Sequence, residues 1–463
     1  MSLRARYYLT GLYVEDHSVS VPLDWRGIEP AELAANPSLR SHEPAIPGAP
    51  ETISLFYRVV CAPENINRDL PLLIFLQGGP GGAGPRLTSP TSDGWIEEAV
   101  RHFRVILPDQ RGCGRSSRVS RHMTERIPGA RAQADYLKRH LARSIVKDFE
   151  YLRLTAFEGR PWVTLGQSYG GFLTLTYLSF YAEGVAASFT CGGIPHVPAS
   201  AAEVYAHTFP RMAEKTRQFY ARYPEDEERV RALADRLSAR DVSLADGSPM
   251  SVRRLQLMGS DFGMKPSFER MHNILDTAFE EGDGTPAGDT PTVTDAFLAA
   301  ALERTSSAAS PLYWTLQELI YADGELEHPI RWAAARELSQ RPEFAAGARP
   351  LMFTGEASFP WLFEEDPVLR PLKPAMDLLM EDTAFDRLYD PTALATNETP
   401  HTSAVYFDDL YVDAGLQLDT LSRIGCSHAW VTNEFEHDGL HGTTVFRHLF
   451  EDARDRGALA AIF

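Results

Sequence analysis

Gly166-Gln167-Ser168-Tyr169-Gly170 forms a G-x-S-x-G pattern between the apolar run WVTL and the apolar run FLTLTYLSF. A serine in that setting can serve as a nucleophile. The pattern predicts a sharp strand-to-helix turn, with glycines two residues to either side so that the backbone bends without a Cβ clash. The hydroxyl would then stand above a sheet, at the positive end of the following helix. Five-residue patterns of this kind also occur in ordinary turns. The strand before it and the helix after it favour the nucleophile.

A serine hydroxyl needs a base, and the base needs an acid to orient it. In this strand–turn–helix architecture they follow the nucleophile in the chain order Ser, Asp/Glu, His. Asp408, Asp409 and Asp413 follow the strand-like SAVYF, and His437 follows AWVTNEF. Asp409 is the expected acid, with Asp408 its main rival. His437 is the expected base, with His441 competing. His437 would take the proton of Ser168 and pass it to the leaving group, while Asp409 fixes the imidazole tautomer. His437 and His441 also have the spacing of a helical metal pair. HDGLH lacks the glutamate of HExxH and contains a glycine, so neither a metal nor another cofactor is expected.

An acyl-transfer site also needs two backbone N–H donors for the oxyanion. Tyr169 N, directly after the serine, is one candidate. The other lies in Gln77-Gly78-Gly79-Pro80-Gly81-Gly82, where Gly79 is chosen because Pro80 carries no N–H. Gly79-Pro80 is also a candidate cis peptide. The same loop could be a structural turn or a phosphate cradle. It lacks the Gly-Lys-Ser/Thr ending of a Walker loop, and no GxGxxG opens a helix here. A third loop, Asp109-Gln110-Arg111-Gly112-Cys113-Gly114-Arg115-Ser116, reads as structural support.

The elements that must hold these residues are legible too. LYVEDHSVSVPLDW (12–25) and TISLFYRVV (52–60) are rich in β-branched and aromatic residues. LPLLIFL (70–76) is continuously apolar, as in a strand buried on both faces. FRVILP, PWVTLGQ and VAASFTC repeat the design, with helices between them, including one from about 132 to 154. This alternation predicts an α/β fold with a mostly parallel sheet. From about 200 to 340 the chain reads as helical. Pro224 opens a helix over 222–240, with acids behind it and Val230, Leu233 and Leu237 at helical spacing. SPLYWTLQELIYADG (310–324) is read as another, with Ser310 as N-cap and Pro311 as first helical residue. Residues 280–292 read as an acidic, exposed and mobile Gly/Pro loop. Strands are expected again at RPLMFTGE (349–356), HTSAVYFDDLYVD (401–413) and SHAWVTNEFEHDG (427–439), before a closing helix. The expected organisation is a core over 1–197 and 347–463, split by a helical domain over 198–346.

The chain has 463 residues and a formal charge of −18. That balance excludes nonspecific binding to nucleic acid, which needs a basic surface, and a basic membrane-surface protein. Four scattered cysteines, with no CxxC pair, read as reduced thiols rather than a disulfide framework. No secretory leader and no ~20-residue apolar span is read in the sequence. A cytoplasmic protein is expected.

LQGGPGGAGPR, PDQRGCGRSS, GQSYGGF, AVYFDDLYVD and VTNEFEHDGL, in this order, resemble the proline iminopeptidases (prolyl aminopeptidases) of the α/β-hydrolase superfamily, most of all their longer bacterial members. Gln77 stands where the family's glycine loop usually has histidine. The resemblance implies an α/β-hydrolase core with a helical cap. It implies a metal-free serine peptidase acting on peptides with an N-terminal proline. It also implies cap carboxylates that bind the substrate's cationic amine, for which Glu318 and Glu356 are the candidates. Each could instead form a helix salt bridge or a solvated face. Trp314, Tyr321, Phe359 and Trp361 could wall a pyrrolidine pocket or simply pack in a core. The alternative is another α/β-hydrolase, such as an esterase or a tripeptidyl-type aminopeptidase.

Overall fold

The protein is described from a computed structural model covering residues 2–280 and 292–463. Of the loop expected over 280–292, only Glu280 and Thr292 fall among the described residues. Nine strands form one sheet: β1 (Ser2–Leu9), β2 (Leu12–Pro22), β3 (Thr52–Cys61), β4 (Leu72–Leu76), β5 (Arg104–Pro108), β6 (Trp162–Gln167), β7 (Val185–Cys191), β8 (His401–Tyr406) and β9 (Ser427–Thr432). Their order is β1-β2-β3-β5-β4-β6-β7-β8-β9. The first three strands and the β3–β5 pair are antiparallel, and all other pairs are parallel. This is an α/β-hydrolase fold with helices on both faces of the sheet.

The unbroken apolar run of β4 follows from its place in the middle of that sheet. Leu72, Ile74 and Leu76 face one apolar cluster, with the helices Ala142–Ala156 and Tyr169–Phe180. Leu73 and Phe75 face the other, with the helices Trp95–His102 and Val445–Asp455. Both faces are covered, so no position is left for a polar residue. Strand order reverses at β4, since β5 lies on one side of it and β6 on the other. Loops leaving β4, β5 and β6 diverge there and open a crevice at the carboxyl ends of the strands.

Between β7 and β8 the chain makes an insert of helices, from Ala201–Arg222 to Pro391–Ala395. The helix with Pro224 as its first residue spans Pro224–Ala239, as its caps and acids predict. Three local expectations are corrected. The stretch from 132 to 154 is two helices, Gly129–Lys138 and Ala142–Ala156. The segment 310–324 is helical only over Pro311–Leu316, followed by a short turn at Leu319–Tyr321. Residues 349–356 are extended but form no strand. Part of their backbone is held instead by Gln256 of the helix Val252–Leu257: its Nε2 donates to Met352 O at 2.9 Å, and its carbonyl accepts from Thr354 N at 2.9 Å. The sheet resumes only at His401. Among the described residues no helix is long and apolar enough to cross a membrane.

The loop after β5 is locked by a buried ion pair. Arg111 Nε and Nη2 donate to Asp148 Oδ2 and Oδ1 at 2.7 and 2.6 Å, and both side chains are fully buried. The same guanidinium donates to Leu23 O and Arg139 O at 2.7 Å and to Pro22 O at 2.9 Å. All five of its donors have acceptors. Trp25 Nε1 completes the site by donating to Asp148 Oδ1 at 2.8 Å. Arg111→Met strands a buried carboxylate and should cost about 3–5 kcal/mol in urea unfolding. Adding Asp148→Leu should recover only part of that, because three carbonyls and the Trp25 N–H stay unpaired. Equal stability of Arg111→Met and the parent would refute this account.

Candidate active site

Ser168 with Tyr169, Gly79, Asp409 and His437 reach the site from the ends of four different strands. Ser168 follows β6 and precedes the helix Tyr169–Phe180, with φ 55° and ψ −125°. A serine in the left-handed region is strained and must be held by its surroundings. Ser168 N donates to Cys191 O at 3.1 Å, and Ser168 O accepts from Gly171 N at 2.8 Å. The flanking Gly170 is dictated by close approach, since a Cβ there would overlap Leu76 O at the end of β4. The N–H of Tyr169 lies in the first helical turn, where no intrahelical acceptor exists.

The glycine loop follows β4. Gly79 has φ +125° and its bond to Pro80 is cis. The loop is braced from two directions. Gln110 Nε2 donates to Gln77 O at 2.7 Å, and Ser310 Oγ of the insert donates to Gly81 O at 2.8 Å. Ser310 thus does not cap its helix with its side chain. Asp109, fully buried, accepts from Gly84 N at 2.9 Å, from Arg115 N at 2.8 Å, and from both Arg86 nitrogens at 2.8 and 2.6 Å. The loop read as structural support therefore fastens the glycine loop beside Ser168.

The acid and base candidates lie after β8 and β9. His437 Nδ1 is 2.8 Å from Asp409 Oδ2. The other oxygen of Asp409 accepts from Tyr411 N at 2.8 Å and Val412 N at 3.1 Å. Asp409 and His437 are buried, whereas Asp408 is exposed. Tyr411 packs edge-on against the His437 ring at 4.7 Å. Burial pulls the imidazole pKa down, but the Asp409 carboxylate, backed by Glu356 and Asp438, outweighs it and holds the pKa above 6.5. His441 pairs instead with Asp93, at 2.9 Å.

Ser168, His437 and the glycine loop line one cavity of about 380 Å³, together with Glu356, Tyr313, Met264 and Arg118. Burial pushes Glu356 up to about 7, while the Tyr313 hydroxyl, which donates to its Oε1, and His437 pull it back. Glu318 is not on the cavity wall. Its two oxygens accept from Ala333 N and Ala334 N at 2.8 and 2.9 Å, at the start of the helix Ala333–Ser339. None of Trp314, Tyr321, Phe359 and Trp361 lines this cavity either. Phe359 and Trp361 stack at 6.0 Å and face a separate depression, and Tyr321 packs on Phe172. Sequence reasoning missed Tyr313, one position before the favoured Trp314. Nothing distinguishes the two until the helix Pro311–Leu316 is placed.

The α/β-hydrolase-fold family matches residues 71–226. A proline iminopeptidase from Aeromonas sobria is 38% identical over 458 residues, covering 98% of this chain and 100% of that protein. One from Aspergillus aculeatus is 28% identical over 416 residues, 88% of this chain and 90% of that protein. The crystal structure of a proline iminopeptidase from Mycobacterium smegmatis aligns at 16% identity, covering 88% of this chain and 97% of that one, with a TM-score of 0.40.

The geometry separates Asp409 from Asp408 in a way that can be titrated. Asp409→Asn should lower the pKa of His437, because the charge that offsets burial is gone. Asp408→Asn should leave it nearly unchanged. The ring resonances of His437 followed against pH would check this, and an equal shift in both variants would contradict it.

Proposed function

The chain belongs to the proline iminopeptidase family of α/β-hydrolases, and we propose that it is a serine aminopeptidase releasing N-terminal proline from peptides. The observation that carries this reading is a half-buried carboxyl, Glu356, on the wall of the cavity that also holds Ser168 and His437. An esterase needs no such group. A substrate with a cationic terminus gains from a carboxylate in a poorly solvated pocket, where the attraction is weakly screened.

In this mechanism the prolyl amine binds at Glu356, which presents the first peptide carbonyl to Ser168. His437 Nε2 takes the hydroxyl proton as Ser168 Oγ attacks. Asp409 holds the Nδ1–H tautomer and stabilises the imidazolium. The oxyanion is received by the N–H groups of Gly79 and Tyr169, preorganised by the braced glycine loop and the helix N-terminus. Collapse of the tetrahedral intermediate passes the proton from His437 to the leaving amine and leaves a prolyl ester on Ser168. Water, deprotonated by His437, then attacks the ester and releases proline. Glu318 contributes indirectly, by capping a helix of the insert. The four unpaired thiols, Cys426 exposed among them, agree with a cytoplasmic, reducing location.

Ser168→Ala should abolish turnover of prolyl arylamides and labelling by a fluorophosphonate. A panel of prolyl, alanyl, leucyl and tripeptidyl arylamides should show proline preferred. Preference for neutral esters or for tripeptides would favour the alternative hydrolases instead.

The environments of Glu356 and His437 set a direction for the pH profile. Glu356, near 7, must lose its proton to attract the amine, and His437, held above 6.5, must be neutral to act as base. Both active forms accumulate as pH rises, so kcat/KM should climb through pH 7 until the substrate amine loses the proton that Glu356 attracts. Glu356→Gln should raise KM for prolyl arylamides about 10- to 100-fold, the value of a lost charge-assisted hydrogen bond. It should barely affect a neutral ester. An equal loss on both substrates would remove Glu356 from the amine site.

A further inference from the structure

The helix Ala201–Arg222 presents His207, Arg211 and Lys215 at four-residue spacing, hence on one face. That face meets both loops carrying the acid and base. Arg211 Nε is 2.8 Å from Asp413 Oδ2, and its Nη1 donates to Phe407 O at 3.2 Å. His207 Nδ1 stands 3.6 Å from the other Asp413 oxygen. These contacts grip the segment 407–413, which contains Asp409. One turn on, Lys215 Nζ pairs with Glu436 Oε1, next to His437 in sequence. Lys215 and Glu436 are almost wholly buried, with side-chain exposures of 13% and 9%.

A second piece of the insert holds the same two loops. Gly263 O accepts from His437 N at 3.0 Å. Lys265 N donates to Asp438 Oδ1 at 3.1 Å, and its Nζ donates to Glu434 O at 2.8 Å. Ser260 O accepts from the Tyr411 hydroxyl, and Tyr411 is the residue packed on the imidazole. From the core, the side chain of Gln167 reaches His437 O at 3.3 Å. Over residues 434–438 the insert thus supplies four polar contacts, through Lys215, Gly263 and Lys265, beside those from Asp409 and Gln167.

We propose that the insert is a clamp which sets the acid and base loops in register, with Lys215 and Arg211 as positioning residues for His437 and Asp409. This rests on the triad reading above. A partly buried ion pair is a poor source of stability but a good source of geometry, because its partners tolerate few arrangements. An error of the order of 1 Å in the base is expensive in rate. Substrate binding depends on other groups, Glu356 and the cavity wall, so the clamp should act on turnover rather than on KM.

The test is steady-state kinetics on a prolyl arylamide. Lys215→Met should lower kcat about 10- to 100-fold with KM nearly unchanged, and Lys215→Arg should restore most of it. Glu436→Gln, which removes the same pair from the other side, should behave like Lys215→Met and covers the case in which that variant does not fold. Arg253→Met breaks an ion pair to Glu365 elsewhere in the insert and should leave kcat alone. Loss of thermal stability without loss of kcat in both Lys215→Met and Glu436→Gln would overturn the clamp, as would a rise in KM at constant kcat. Should Ser168→Ala remain active, the triad reading fails first. With Ser168→Ala inactive, an unchanged kcat in the two clamp variants refutes the clamp alone.

Discussion

Arg111 in its buried pair with Asp148 is the constraint around which the face carrying Ser168 is organised. One guanidinium joins the end of β2, the turn at Arg139 and the helix Ala142–Ala156. The loop that carries it also carries Asp109, whose bonds to Gly84 N and the Arg86 guanidinium fasten the segment following the glycines. The order of causes runs from a charge pair in the apolar interior, through a fixed loop, to backbone N–H groups held beside Ser168. A buried pair is poor evidence of net stability. Its value here is that a fully satisfied guanidinium admits one arrangement of the segments it touches.

Ser168 itself sits in a conformation the chain would not adopt alone. The cost is met by packing on every side: β4 beneath Gly170, the end of β7 at its N–H, and the helix that starts at Tyr169. Two ionisable groups near it are moved in the same useful direction by different causes. Burial raises Glu356, and a neighbouring carboxylate raises His437 against burial. Glu356 then titrates at about 7, and His437 keeps the affinity for a proton that a general base needs.

Much of the sheet and its strand-end residues was legible in the sequence, because both are governed by local rules. Continuous apolar runs mark strands covered on both faces, and G-x-S-x-G marks a turn whose neighbours are fixed by sterics. The insert was less legible. Residues 349–356 have the composition of a strand, yet Gln256, nearly a hundred residues earlier, answers their backbone. Glu318 has the look of a buried anchor, and its partners are the backbone of a helix that begins fifteen residues later. Lys215 and Arg211 lie in a stretch read only as helical. In each case the deciding partner lies far along the chain, and no periodicity or spacing encodes it.

The insert and the sheet share one continuous apolar cluster, running from Ile74 and Ile106 to Phe209, Leu255, Phe297 and Phe353. The hydroxyl of Ser310 reaches from the insert to the glycine loop. A region that appears exchangeable by its place between two strands is therefore not modular. Transplanting the insert of a relative to alter selectivity would also replace part of the scaffold that braces the glycine loop, so changes in the insert cannot be made without changes in the core site.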